Sequence, residues 1–347
     1  MIKGKISLVF LSTLLVISAC GHKEEHNTTS NQGSIQNEAE PVAVEVWEET
    51  IYPLTGLEAI DGEQNQRPVA VMINNHPNAR PQSGLNKADI VYEVLSEGSI
   101  TRFLAIFQSE LPDVIGPVRS AREYYVDLSK GYNALYISHG WSPTAKQKLE
   151  AGEADYLNGL FYDGTLFWRA AHRKAPHNSY ISNENIIKGA MSNNYEISAE
   201  VEPYPFLSEE EIANLEGESS SKFVVKYDES ETWQATYEYN QTNQSYSRFS
   251  DNEQTVDLES GEPVSLSNIF IVEMDHSYLD DYGRRGIDLT SGGKAILFQK
   301  GLKQELEWEN RDGRIIPIKN GEVVKFVPGK TWINIVPNII DTFLDQS

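Results

Sequence analysis

Cysteine is almost absent from this 347-residue chain; Cys20 is the only one. A single thiol excludes an intramolecular disulfide, a CxxC redox pair and a cysteine-built zinc site. Ordinary hydrophobic cores must therefore hold the fold, and the chain is long enough for two. Cations are also scarce, 29 Lys+Arg against 51 Asp+Glu. That balance argues against nucleic acid, which needs clustered positive charge. It also argues against lying flat on an anionic membrane surface. Its plain consequence is solubility. GxGxxG, Walker, HExxH and GxSxG motifs are missing. Gly292-Gly293-Lys294 lacks the upstream glycine of a phosphate loop and reads as a hairpin turn. Ser219 and Lys222 match SxxK only within a serine-rich stretch. His172 and His177 share a loop that holds no carboxylate, so no metal site is expected there.

What the chain does have begins at its start. Lys3 and Lys5 precede an apolar stretch at 6–17, the length of a signal-peptide core and short for a bilayer span. The stretch ends Ile17-Ser18-Ala19-Cys20, a lipobox, whose small residues let the cleavage site enter a signal peptidase. The expectation is a signal peptide over 1–19 and a diacylglycerol thioether on Cys20, with palmitate-type chains. Two acyl chains anchor stably, at about 0.8 kcal/mol per buried methylene. Loss of residues 1–19 leaves 27 cations against 51 acids, a net charge of −24. Residues 20–52 are polar and read as a disordered tether spanning roughly 30 Å. The expected location is the outer face of the cytoplasmic membrane, held by lipid.

Residues 53–200 are expected to form an α/β or α+β domain, a mixed sheet with helices. The runs 68–74, 88–94 and 102–108 read as strands, the last two joined through Ser96-Glu97-Gly98-Ser99. Ser120 and Glu123 fit a capping box for a helix to about Lys130. Residues 134–138 read as a strand. Ser142-Pro143 and Ser182 each start a further helix. Residues 201–221 read as a linker with one short helix near 208–215. A smaller, mostly β domain is expected over 222–347, with strands at 223–227, 232–239, 245–248, 269–273, 294–299, 304–308, 323–327 and 331–336.

Polar residues gather at strand ends and helix starts, where sheet proteins place their sites. Asn74, Asn75 and His76 follow the first strand, with Arg80 and Gln82 close behind. Glu97 and Arg102 flank the hairpin, and His139-Gly140-Trp141-Ser142 follows a later strand. Gly116-Pro117-Val118-Arg119-Ser120-Ala121-Arg122 leads into a helix. Arginine there opposes the helix dipole, which makes sense if an anion is bound beside free N–H groups. The competing reading pairs Arg119 and Arg122 with Asp89, Glu93 or Glu97 as an ion network. For His139 and Trp141, core packing competes with ligand contact.

The stretches NNHPNARPQSGLNKADIVYE, SITRFLAIFQ, GPVRSAREYYVDL and SHGWS resemble the YerB-like bacterial lipoproteins. SGGKAILFQKG, WENRDGRIIPI and PGKTWINIVP resemble that family's second domain. The resemblance covers roughly residues 53–340. It implies an N-terminal domain of unknown function, a β-rich C-terminal domain, a lipid anchor and a Gram-positive source, and no assigned activity. A looser similarity is to the LytR-CpsA-Psr transferases, through Asp89, Arg102, Arg119 and Arg122 in that order. Their Arg-Asp dipeptide is replaced here by Arg119-Ser120.

Three functions follow as expectations. The first is a non-catalytic envelope lipoprotein that binds an anionic envelope ligand or protein partner in a cleft lined by Arg80, Arg102, Arg119 and Arg122. Asn74 and Gln82 support it. No cofactor is expected on this reading. The second is an enzyme acting on a polyprenyl-pyrophosphate-linked wall precursor, with Asp89 or His139 handling protons or a Mg²⁺. The third is a protein scaffold using the β-rich domain.

Overall fold

The computed structural model describes residues 50–60, 62–227 and 231–346. The signal-peptide, Cys20 and tether expectations lie outside these residues, apart from the tether's last three. The chain from Glu48 onward is one compact unit. No helix among the described residues is long and apolar enough to cross a membrane.

The N-terminal region supplies β1 (Val69–Asn74), β2 (Ile90–Glu97), β3 (Ile100–Phe107), β4 (Leu135–Ser138) and β5 (Tyr156–Asn158). Its main helices are α1 (Glu123–Lys130), α2 (Pro143–Glu150) and α3 (Asn183–Ser192). The C-terminal region is mostly strands. The longer ones are β6 (Lys222–Lys226), β7 (Gln234–Asn240), β8 (Ser245–Ser250), β9 (Asn268–Glu273) and β10 (Gly293–Gln299). After them come β11 (Leu302–Arg311), β12 (Arg314–Lys319), β13 (Thr331–Val336) and β14 (Phe343–Asp345).

One large sheet runs β12-β11-β10-β9-β13-β2-β3-β1-β4-β5 and so passes through both regions. The joint is β13, which lies parallel to β9 on one side and to β2 on the other. Residues 201–221, expected as a linker, do not separate two sheets. Tyr204 is buried with its hydroxyl 2.7 Å from that of Tyr132, and Leu207 N–H donates to Phe326 O. The short helix expected there is Glu209–Ala213, with the Ser208–Glu211 capping box formed.

The central strands read as continuous apolar runs because both faces are covered. Val71, Ile73, Phe103, Ala105 and Trp332 point to one side, where α3 and a second sheet, β8-β7-β6-β14, pack. Their chain neighbours Ala70, Met72, Leu104 and Ile333 point to the other, toward Tyr124, Tyr125 and Leu128 of α1 and Leu149 of α2. Period-two alternation thus sorts one apolar strand into two cores.

Helix starts follow side-chain chemistry. Ser142 and Ser182 accept N–H groups of Ala145 and Asn185, as their sequences indicate. The expected Ser120 capping box does not form, and Arg122 is the N-cap of α1. Ser120 Oγ donates instead to His139 O, while Glu123 accepts from Ser142 Oγ.

A short two-stranded ribbon, His276–Tyr278 with Arg285–Ile287, stands beside the β2–β3 turn. His276 donates Nδ1–H to Met274 O, and its Nε2 is buried without a partner among the described residues. Burial lowers its pKa to about 4. The unfolded chain therefore binds a proton that the folded chain refuses between about pH 6.5 and 4, so stability falls as pH drops through that window. His276→Phe is expected to remove about 2 kcal/mol of this acid loss, after discounting the full shift for partial exposure. Urea unfolding at pH 7 and 4.5 measures it.

Candidate functional site

The site lies at the carboxyl ends of the parallel trio β1, β4 and β5. Loops leaving such an edge diverge and leave a crevice, the usual ligand position in sheets of this kind. Here β1 delivers Asn74 to His76, β4 delivers His139 and Gly140, and β5 delivers Asn158 and Gly159. Asn158 Oδ1 accepts N–H groups from Gly140 and Leu160, tying the β4 and β5 exits together. Gly159 must lack a side chain, because a Cβ there would overlap the His139 ring.

The segment after Gly116 runs beside the end of β1. Asn74 N–H donates to Pro117 O, and Arg119 N–H donates to Met72 O. Ile73 pairs with Val118, so Asn74 and Arg119 share the opposite face with Arg102, the partner of Asn74 on β3. Two arginines converge on one acid. Both Arg102 Nη2 bonds go to Glu97, at 2.8 and 2.7 Å, and Arg122 pairs with the same carboxylate. Arg102 Nη1 also donates to Ser120 O, bracing the segment.

Arg119 is different. It is half-buried, and its guanidinium has no ion pair or hydrogen bond among the described residues. Burial, then Arg102, lowers its pKa to about 10, so it stays charged at neutral pH. Arg80 also lacks a carboxylate among the described residues. Its Nε donates to Asn75 O and Oδ1, and burial, then Arg248, holds it at about 10. Gln82 fixes the same loop by donating to Asn74 O.

Three histidines ring this cationic surface. The His76 and His177 rings stack with centroids 4.5 Å apart, and Trp233 meets His76 edge-on at 6.2 Å. His76 Nδ1 accepts Asn78 N–H, and His177 Nδ1 takes Asn74 Nδ2–H, because Asn74 Oδ1 is committed to His76 N–H. Both neutral rings therefore carry their proton on Nε2 and offer it outward. His139 has the other tautomer. Arg169 can only donate to its Nε2, so its Nδ1–H goes to Ser179 Oγ, 2.7 Å away. Burial is the first cause of the lowered pKa in all three. Arg80 and Arg119 add to it at His76, His76 and Arg119 at His177, and Arg169 at His139.

The expected residues thus divide. Asn74, Gln82, His139, Arg119 and Arg80 edge the site, while the ion network that the sequence offered as the alternative forms for Arg122 with Glu97, joined by Arg102 and not by Arg119. Asp89 does not join them. It precedes β2, five residues before the Val94 that pairs with Arg102, roughly 16 Å along the strand. It is fully buried, accepts Gln108 and Ser109 N–H, and burial raises its pKa. It cannot serve the arginines as proton carrier or Mg²⁺ ligand. Among the described residues no three His, Cys, Asp or Glu side chains converge as a metal site. His177 and Trp233 were missed as site residues. They arrive from distant loops, and no local pattern marks them.

Both regions match models of a single family. Residues 54–196 match the N-terminal domain, and 223–333 the C-terminal domain, of the protein of unknown function DUF3048. The chain belongs to this family. It is 52% identical over 287 residues to the Bacillus subtilis (strain 168) protein named "Putative lipoprotein YerB", an alignment covering 83% of this chain and 86% of that protein. The crystal structure of the YerB protein from Bacillus subtilis superposes with a TM-score of 0.81 at 50% identity, covering 86% of this chain and 100% of that one.

Proposed function

We propose that this chain is a lipid-anchored protein of the outer face of the cytoplasmic membrane that binds an oxyanion-bearing component of the cell envelope. The lipobox ending at Cys20 and the name of the Bacillus relative support the anchor. One observation carries the ligand: the half-buried Arg119 guanidinium, without a partner among the described residues, at the carboxyl edge of β1, β4 and β5. Around it the available groups are donors, namely the Nε2–H of His76 and His177 and Nη1 of Arg80, whose Nη2 donates to Thr232 O. A donor-only surface in so acidic a protein selects an anion and leaves a cation nothing to bind.

The test is thermal stability of Glu48–Ser347 against phosphate, pyrophosphate, polyprenyl phosphate and teichoic-acid fragments. A ligand at a hundred times its dissociation constant adds about 2.7 kcal/mol. At least one phosphate-bearing ligand is expected to stabilise the protein. Arg119→Ala should weaken it about 10- to 100-fold, the size of a charged hydrogen bond, and Arg119→Lys less. No stabilisation by any of the four overturns the reading.

A protein-partner reading has its own observation. Tyr278, Leu279 and Tyr282 on the 276–287 ribbon are 64%, 53% and 82% exposed, with Arg285 stacked on Tyr278 at 3.8 Å. Tyrosine and arginine dominate interface hot spots. Loss of a crosslinked partner on Tyr282→Ser would favour it.

A further inference from the structure

The second sheet has one face in the core and one outside, and the outer face is not patterned as a plain solvated surface. Phe223, Val225, Ala235, Tyr237 and Tyr246 point inward and are buried. On the outer face the register places Leu344, Val224, Thr236 and Phe249 opposite one another, in a single row across β14, β6, β7 and β8. One flanking row holds Lys222 and Glu238, with Gln346 beyond the end of β14; the other holds Lys226 and Gln234, with Asn252 near by. The result is a trough of about 460 Å³ between polar walls, its floor apolar at Leu344, Phe249 and the nearly covered Val224. It crosses four strands, about 14 Å at the usual spacing.

The walls are close to neutral. Lys222 and Glu238 pair at 2.7 Å, which leaves Lys226 as the one unpaired charge of the trough among the described residues. No hydrogen bond among the described residues uses the side chains of Gln234, Thr236, Asn252 or Gln346. Each amide offers both donors and an acceptor, and the threonine offers one hydroxyl.

We propose that this trough binds a neutral glycan strand laid across the sheet. A pyranose ring has an apolar C–H face bordered by hydroxyls. The row from Leu344 to Phe249 suits that face, and the amide walls suit the hydroxyls. Other occupants fit less well. Nucleic acid needs several phosphate-neutralising cations, and one is free. A lipid chain gains nothing from polar walls. An added peptide strand pairs with a sheet edge, not across a face. The proposal is independent of the Arg119 site, which lies on the large sheet.

The experiment is calorimetric titration of Glu48–Ser347 with chitotetraose and cellotetraose, with affinity electrophoresis through purified cell-wall polysaccharide beside it. Binding to at least one is expected, weakened at least tenfold by Phe249→Ala. Gln234→Ala/Asn252→Ala should weaken it several-fold; both residues are at the surface, so this variant keeps the test alive should Phe249→Ala not fold. Arg119→Ala should leave chitotetraose and cellotetraose binding unchanged. No binding to any of the three, or binding that neither trough variant reduces, overturns the proposal.

Discussion

Arg248→Met is expected to destabilise the protein by about 3–5 kcal/mol, the cost of stranding one member of a buried ion pair. Arg248 on β8 reaches across the interior to Glu93 on β2, with Nη2 3.0 and 2.8 Å from the two carboxylate oxygens. Their side chains are 1% and 2% exposed. The guanidinium lies over Trp332, 4.7 Å from the ring centre, and its Nη1 donates to Ser250 and Thr255 hydroxyls. Glu93 accepts further bonds from Trp332 Nε1–H, Thr101 and Asn75. Removing the arginine leaves the carboxylate in the core with neutral donors only. Glu93→Gln/Arg248→Met together should cost less than the sum of the single changes. Denaturant unfolding of the four proteins gives the coupling. A single-variant loss below about 1 kcal/mol would mean that water replaces the guanidinium. Because Asn75 also holds Arg80, the variant should loosen the loop that carries His76.

Asp89→Ala is expected to cost about 3–5 kcal/mol of stability without weakening oxyanion binding in the protein that remains folded. Oδ2 accepts Gln108 N–H at 2.5 Å and Ser109 N–H at 2.8 Å, and Oδ1 accepts the Ser109 hydroxyl. Each buried donor left without an acceptor costs about 1–3 kcal/mol. Asp89→Asn keeps one acceptor but turns an amide toward the same N–H groups, so an intermediate loss is expected. Unfolding curves give the stability, and phosphate-induced thermal shifts of the same variants give the binding. Lost binding with intact stability would return Asp89 to the site.

Legibility in the sequence followed the range of the interaction. Strands buried on both faces appear as unbroken apolar runs, and β1, β2, β3 and β13 were placed within about two residues at most ends. Serine caps at Ser142 and Ser182 were legible because the bond closes within three residues. The Ser120 box misled because both of its side chains found partners on the other side of the β4 turn. β12 was overlooked because Pro317 interrupts its pattern, and β5 because three residues carry too little periodicity. The expected strand at 323–327 is reduced to Glu322–Val323. At the site, strand-end residues such as Asn74 and His139 were readable from position alone. Which arginine was free was not, since that depends on where Glu97 points. His177 meets Asn74 across 103 residues, and nothing nearby announces it.

The position of β13 also sets an order on assembly. Its Trp332 meets Glu93 across 239 residues of chain. Until that late strand arrives, β2 presents a bare, apolar edge of the kind that recruits other chains. Such distant pairing forms slowly and exposes partly built sheets while it is awaited. A chain made from its N-terminus delivers β13 long after β2. The N-terminal region then waits, unfinished, while the residues between them are made.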